Sequence, residues 1–166
     1  DFTMQFFTSS VQKQNFSNFN GDKFIANIAF ISDTEINQLE NEDFYTQAEQ
    51  SSCEIMIFPI KVLDILTSEE DVYNEEYLAK LRQIFKIIEM HSLKILFLPK
   101  IDKSIENTPE LVINSMKHTA RRLKKFNSIM GFVLPQENCF KNEKVRQEFI
   151  SELSIKHEHY KFVDLI

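Results

Sequence analysis

Five short apolar runs recur along the chain, separated by longer segments of mixed polarity. They lie at 24–31, 53–60, 93–98, 128–134 and 160–166. Most are apolar throughout and rich in β-branched or aromatic residues. That pattern is typical of strands covered on both faces, as in a largely parallel sheet.

The segments between the runs carry the signature of helices with one buried face. Apolar residues repeat at three and four positions in 74–91, 108–126 and 142–156, whereas the acidic segment 34–50 is only weakly periodic. Thr108 is a suitable N-cap, with Pro109 at the first helical position. Strands alternating with helices predict βαβ units joined by right-handed crossovers. We therefore expect an α/β fold, a three-layer sandwich with a mainly parallel central sheet of about five strands.

The first 22 residues differ in character from the rest. They hold five phenylalanines among Ser, Asn and Gln, without a clear period, which predicts an extended arm preceding a single α/β domain over 23–166. Aromatic anchors dominate the energetics of protein interfaces, so the arm is a candidate partner-binding element. It is equally compatible with folding back over its own domain. The candidate residues are Phe2, Phe6, Phe7, Phe16 and Phe19.

The amino-acid composition excludes some kinds of binding site. Gly21 and Gly131 are the only glycines among 166 residues, which excludes a Walker loop and a GxGxxG fingerprint. The formal net charge of −6 argues against a protein that coats nucleic acid through its overall charge, although a local basic patch is compatible with it. No cofactor is expected.

The cellular location follows from cysteine usage and hydropathy. Cys53 and Cys139 lie in or beside predicted strands, where free thiols behave as small buried hydrophobes, and a disulfide between them is not required. No apolar run approaches the roughly 20 residues of a membrane span, and the first residues lack a signal-peptide pattern. We expect no membrane association and a location in the nucleus or, alternatively, the cytoplasm.

Acidic residues follow several predicted strands. Asp33, Glu35 and Asp102 could together bind Mg²⁺, because hard cations need clustered oxygen ligands. The simpler interpretation, which we favour, is that they cap or follow strands at the surface. His157 and His159 lack the further ligands of a zinc site, so we expect them on a solvated surface. The sequence thus nominates no catalytic residue and no metal site.

The strongest local charge signal is a basic cluster in the second half of the predicted helix 108–126. Convergent positive charge of this kind suits contacts with nucleic-acid phosphates. Cations near a helix C-terminus are also favoured by its dipole, so a merely solvated face is the alternative. The candidate DNA-binding residues are Lys117, Arg121, Arg122, Lys124 and Lys125.

Four segments resemble those of a known protein family. They are CEIMIFPIKVLDIL from Cys53, YLAKL from Tyr77, LKILFLPKID and SIMGFVLP. Over about 24–156 the chain resembles the nuclease-like domain of the XPF family of structure-specific endonucleases, especially its non-catalytic partner-type subunits. Active members carry Glu-Arg-Lys on the strand that corresponds to Cys53–Phe58. Here that stretch is apolar, and apolar side chains cannot ligate Mg²⁺.

The resemblance therefore implies a pseudo-nuclease and not an enzyme. Inactive members of this kind act as heterodimer subunits, and one branch recognises branched recombination intermediates in meiosis and promotes crossovers without cutting. The expected partners are an XPF-family subunit and, through the complex, branched DNA. The alternative is a doubly wound α/β adaptor with protein partners only and no DNA binding.

Overall fold

A computed structural model describes residues 4–166 of the chain. Strands and helices alternate along it, with short 3₁₀ turns at Lys103–Ile105 and Asn138–Lys141. The strands are β1 (Gln12–Asn18), β2 (Lys23–Phe30), β3 (Ile55–Lys61), β4 (Lys94–Lys100), β5 (Ile129–Val133) and β6 (Lys161–Leu165). The helices are α1 (Asp33–Ile36), α2 (Glu42–Gln50), α3 (Val62–Ile65), α4 (Glu75–Ile88), α5 (Pro109–Arg122) and α6 (Glu143–Ser154).

All five predicted strands are confirmed, as β2 to β6, with ends within two residues of the expected ones. The three periodic segments form α4, α5 and α6, and Pro109 begins α5 as its spacing indicated. The weakly periodic segment 34–50 forms two helices, α1 and α2. Their N-caps are Ser32 and Asn41, each of which accepts a backbone amide through its side chain.

The expected three-layer sandwich is wrong, because the sheet closes on itself. Strands β2 to β6 lie parallel in sequence order, and β1 pairs antiparallel with both β2 and β6. Within residues 4–166 this makes a closed six-stranded barrel with helices outside it. A strand that is apolar on both faces fits a second helical layer and a barrel interior equally well, so the hydrophobic pattern could not separate the two folds.

The described residues form two hydrophobic cores, one on each side of the barrel wall. The larger core lies between the strands and the surrounding helices and includes Met56, Phe58 and Phe97. The smaller core fills the barrel interior, because a six-stranded barrel is narrow enough for side chains to pack across it. Its buried members are Phe16, Ala26, Ile28, Ile55, Ile57, Leu96, Val133 and Val163.

The segment expected to be an extended arm is part of this barrel. Residues 12–18 form β1, Phe16 is fully buried in the interior, and its ring stacks on that of Phe24 at 4.7 Å. Phe7 is also buried, edge-on to Phe44. The sequence does not indicate a strand here, because most side chains of β1 are polar and only one face of it lies against a core.

Hydrogen bonds with two polar side chains, Glu35 and Gln47, hold the segment that precedes β1. The Glu35 carboxylate accepts the amides of Thr8 (2.9 Å) and Ser9 (3.1 Å), and the Ser9 hydroxyl as well. Oε1 of Gln47 accepts the amide of Phe7 at 3.0 Å, and Nε2 donates to the Met4 carbonyl at 2.8 Å. This irregular segment therefore has its backbone groups satisfied by side chains from α1 and α2.

Gly131 is required where β5 meets β6. Its φ is +147°, and a Cβ there would lie 1.9 Å from the carbonyl oxygen of Lys161, its partner in the ladder. The two backbones approach too closely for any side chain at this position. Gly131 thus permits the close pairing of β5 with β6 that the closed barrel requires.

Candidate functional site

The carboxyl ends of β3 to β6 meet at one end of the barrel, where they surround a cavity of about 540 Å³. Leu98, Val133 and Leu165, from the interior core, contribute its apolar lining. Pro99, Ile101, Leu134 and Pro135 add further apolar surface. Ligand sites of α/β barrels and open α/β sheets usually lie at this end of the strands. We call this cavity the barrel mouth.

The charged residues of the barrel mouth fall into two groups. Lys61 Nζ lies 3.5 Å from the Asp33 carboxylate, and Asp102 accepts the amide (2.9 Å) and hydroxyl (2.7 Å) of Ser104. Those bonds from Ser104 hold the pKa of Asp102 below its ordinary value. Lys100 and Glu137 line the same cavity and, within residues 4–166, take part in no ion pair or side-chain hydrogen bond.

One side of the barrel mouth is held by Arg146 of α6. Its Nη1 donates to the Pro135 carbonyl at 2.7 Å, while Nη2 contacts both carboxylate oxygens of Asp164 on β6. Asp164 also accepts a hydrogen bond from the side-chain Nε2 of Gln136 at 2.8 Å. The loop after β5 is therefore tied to both α6 and β6.

The acidic residues considered for Mg²⁺ do not form a cation site. Glu35 is 1% exposed, and its carboxylate is occupied by backbone amides. Asp33 pairs with Lys61, and Asp102 caps the 3₁₀ turn. Across residues 4–166, no group of three or more His, Cys, Asp or Glu side chains is arranged to hold a metal ion.

The histidine pair was expected on the surface, and for His157 that expectation is wrong. His157 is buried and stacks on Tyr160 with ring centroids 4.6 Å apart, whereas His159 is exposed. Burial lowers the pKa of His157, helped by the nearby positive charges of Lys124 and Arg121. Its neutral ring therefore serves as packing beneath a cationic region.

The two cysteines are both free thiols in the described part of the chain. Cys53 is buried, and this burial raises the pKa of its thiol to about 11. Cys139 is half-buried, and burial raises its pKa as well. Both thiols are therefore mainly protonated at neutral pH, which disfavours the reactive thiolate form.

A second candidate site lies outside the barrel, where cations from α4 and from the end of α5 converge on a shallow depression. We call it the basic surface: Arg82, Arg121, Arg122, Lys124 and Lys125. Glu75 is the one acidic residue in its lining. Its carboxylate lies 3.0 Å from Nε of Arg122 and 2.5 Å from Nε2 of His118. Although burial acts to raise the pKa of Glu75, these two partners outweigh it and the pKa is lowered.

Four of the five predicted DNA-binding residues lie on the basic surface. The fifth, Lys117, points elsewhere and pairs with Glu152 of α6 at 2.7 Å. The sequence missed Arg82, because it lies about 40 positions upstream and only the packing of α4 beside α5 brings it close. Lys124 and Lys125 follow the end of α5 rather than extending its face.

The phenylalanines expected to bind a partner are dispersed. Phe7 and Phe16 are core residues, and Phe6 is half-buried. Phe19 is 51% exposed and lies edge-on to Phe162 at 6.0 Å. Phe2 lies outside the described residues. The described members do not form a common surface, because Phe7 belongs to the outer core, Phe16 to the barrel interior, and Phe19 is exposed beyond the end of β1.

These features define an α/β-barrel domain with a ligand-sized cavity at its mouth and a cationic depression on its helical exterior. Scans against protein-family models, curated proteins and solved structures yield no significant match. No helix in the described region is long and apolar enough to cross a membrane.

Proposed function

We propose that this domain is a non-catalytic module that binds nucleic acid through the phosphate backbone. The observation that carries the proposal is the basic surface, on which five cationic side chains from two helical segments line one depression. Phosphate contacts need convergent positive charge and do not need a deep pocket. The planar guanidinium groups of Arg82 and Arg121 suit two-point contacts with phosphate oxygens.

The net negative charge of the chain restricts how a polyanion such as DNA can approach the protein. With a net charge of −6, most of the protein repels a polyanion, so association is favoured only through the basic surface. Arg122 is partly neutralised by Glu75, which leaves four cations without an acidic partner among the described residues. A surface of this size contacts only a few phosphates, and the affinity falls as salt is raised.

The test reverses two charges of the basic surface. Arg121→Glu with Lys125→Glu is compared with Lys13→Glu with Lys23→Glu, which changes the net charge equally. The control lysines lie on β1 and β2, and β1 is opposite β4 in the ring of strands, away from α4 and α5. Binding to a fluorescent DNA duplex is measured by anisotropy at several salt concentrations.

We expect the basic-surface variant to lose most of its affinity, and its negative slope of log K against log salt to become shallower by about two. The control keeps the wild-type slope and loses less affinity. If both variants lost affinity equally, the loss would be explained by net charge alone and the basic surface would not be the binding site. Complete absence of binding by the wild-type chain, alone and with its co-purified partner, would favour the adaptor with protein partners only.

A partner subunit from the XPF family, branched DNA and a role in meiotic crossover formation remain predictions from the sequence resemblance. The resemblance implies an open nuclease-like sheet, and the barrel is closed. The proposal therefore rests on the basic surface and not on the family. Co-purification from the native host tests the partner, and a four-way junction compared with a linear duplex of equal length tests the preference for branches.

A further inference from the structure

The barrel mouth has the dimensions and chemistry of a small-molecule site. Its volume of about 540 Å³ is within the range that accommodates compact metabolites. Leu98, Val133 and Leu165 line it with apolar surface, which favours an apolar group that displaces water. The site is separate from the basic surface, which lies outside the barrel wall on α4 and after α5.

The charges that remain free in the barrel mouth specify the polar part of the ligand. Lys61 has Asp33 as its partner, and the Asp102 carboxylate accepts two hydrogen bonds from Ser104, a neutral partner that leaves the carboxylate charge in place. Lys100, at the end of β4, and Glu137, in the loop after β5, have no partner among residues 4–166. Beside its apolar surface the cavity therefore offers one ammonium group and one carboxylate, those of Lys100 and Glu137, that have neither an ion pair nor a side-chain hydrogen bond within residues 4–166.

We propose that the barrel mouth binds a small zwitterion with an apolar side chain, of the class of the aliphatic α-amino acids. The ligand carboxylate pairs with Lys100, its ammonium group pairs with Glu137, and its side chain contacts Leu98, Val133 and Leu165. Both ligand charges are then matched by a protein charge of opposite sign, which offsets the cost of removing them from water.

The loop that carries Glu137 is partly ordered before a ligand arrives. Arg146 holds the Pro135 carbonyl, and Gln136 is bonded to Asp164. The chain two residues before Glu137 is thus fixed relative to β6. Such preorganisation lowers the entropic cost of binding.

The test separates the two charges of the ligand. Calorimetric titrations compare L-leucine with 4-methylpentanoate, which lacks the ammonium group, and with 3-methylbutylamine, which lacks the carboxylate. We expect leucine to bind about tenfold more tightly than either analogue, because each analogue leaves one protein charge unpaired. A raised Tm in the presence of leucine is the second readout, since a ligand of the folded state stabilises it.

Two variants assign the contacts. The Glu137→Gln variant is expected to bind leucine no more tightly than it binds 4-methylpentanoate. The Lys100→Gln variant is expected to bind leucine no more tightly than it binds 3-methylbutylamine. Lys94→Gln, at the opposite end of β4, and the exposed Glu158→Gln, ahead of β6, remove the same charges away from the cavity and are expected to bind as wild type.

The proposal is overturned if wild-type protein shows no binding heat with leucine up to about 10 mM, a limit that corresponds to very weak binding. It is also overturned if 4-methylpentanoate binds as tightly as leucine, which would make the mouth an anion site. Neither result bears on the DNA measurement. Conversely, Arg121→Glu with Lys125→Glu is expected to leave leucine binding unchanged.

Discussion

Nη2 of Arg146 lies 2.6 and 2.7 Å from the two carboxylate oxygens of Asp164, joining α6 to β6 beside the barrel mouth. The Arg146 side chain is only 12% exposed, so the pair is shielded from solvent more than a surface salt bridge is. Nη1 of the same guanidinium also satisfies the Pro135 carbonyl. One side chain therefore sets the position of two segments that border the cavity.

Replacing Arg146 is expected to destabilise the fold. Arg146→Met keeps much of the apolar length but leaves the Pro135 carbonyl without its donor and the Asp164 carboxylate with only the bond from the Gln136 side chain, at a cost of about 1–3 kcal/mol. Urea unfolding measures the loss. Lys156→Gln is the control, since Lys156 is exposed, and is expected to change stability by less than about 0.5 kcal/mol. Equal stability of the two variants would contradict a structural role for the ion pair.

Phe16 tests whether β1 closes the barrel. Phe16→Ala removes a fully buried ring from the interior core and is expected to cost about 3–5 kcal/mol of unfolding free energy. Phe19→Ala, three positions later and half exposed, is expected to cost about 1 kcal/mol or less. An arm that merely preceded the fold would tolerate both substitutions equally, and chemical denaturation distinguishes the two cases.

Glu35 links stability to pH. Burial acts to raise the pKa of its carboxyl, but hydrogen bonds from Ser9, Ser32 and Thr8 outweigh burial and lower the pKa below the ordinary 4.5. Because the folded-state pKa is depressed, the stabilisation is complete above the ordinary pKa and is lost as the pH falls through the folded-state value.

Glu35→Gln is therefore expected to lose about 1–3 kcal/mol near pH 7, through weakened bonds to the backbone amides. The difference from wild type should shrink as the pH falls below 4.5 and through the lowered folded-state pKa, at which the carboxyl of the folded wild-type protein becomes protonated. Urea unfolding at neutral and acidic pH measures both quantities, with the exposed Glu40→Gln as control. A difference that stays constant with pH would contradict the assignment.

Glu75 is expected to restrain the basic surface. Glu75→Gln removes the carboxylate that pairs with Arg122, so the Arg122 guanidinium becomes free for phosphate and DNA affinity should rise several-fold at low salt. Glu76→Gln changes the net charge by the same amount on a residue outside the depression. Anisotropy titrations at matched ionic strength compare the two. A similar increase in both variants would assign the effect to net charge.

Local interactions account for what could be predicted from the sequence. The strands β2 to β6 follow from their continuous apolar runs, and α4 to α6 follow from spacing and, in α5, from Pro109. Four of the predicted cations lie together on the basic surface because they are neighbours in one helix and in the turn after it: Arg121, Arg122, Lys124 and Lys125. Each of these features depends on residues within a few positions of one another.

Closure, by contrast, depends on contacts between distant parts of the chain. β1 reads as a polar segment, and only its pairing with β2 and β6 shows that it completes a barrel whose interior is filled by side chains from every strand. The same long-range packing brings Arg82 to the basic surface, separates Lys117 from it, and places Lys100 and Glu137 around one cavity. The hydrophobic period specifies which faces of a strand are buried. What buries them, helix or opposite barrel wall, is decided only when the strands pair in three dimensions.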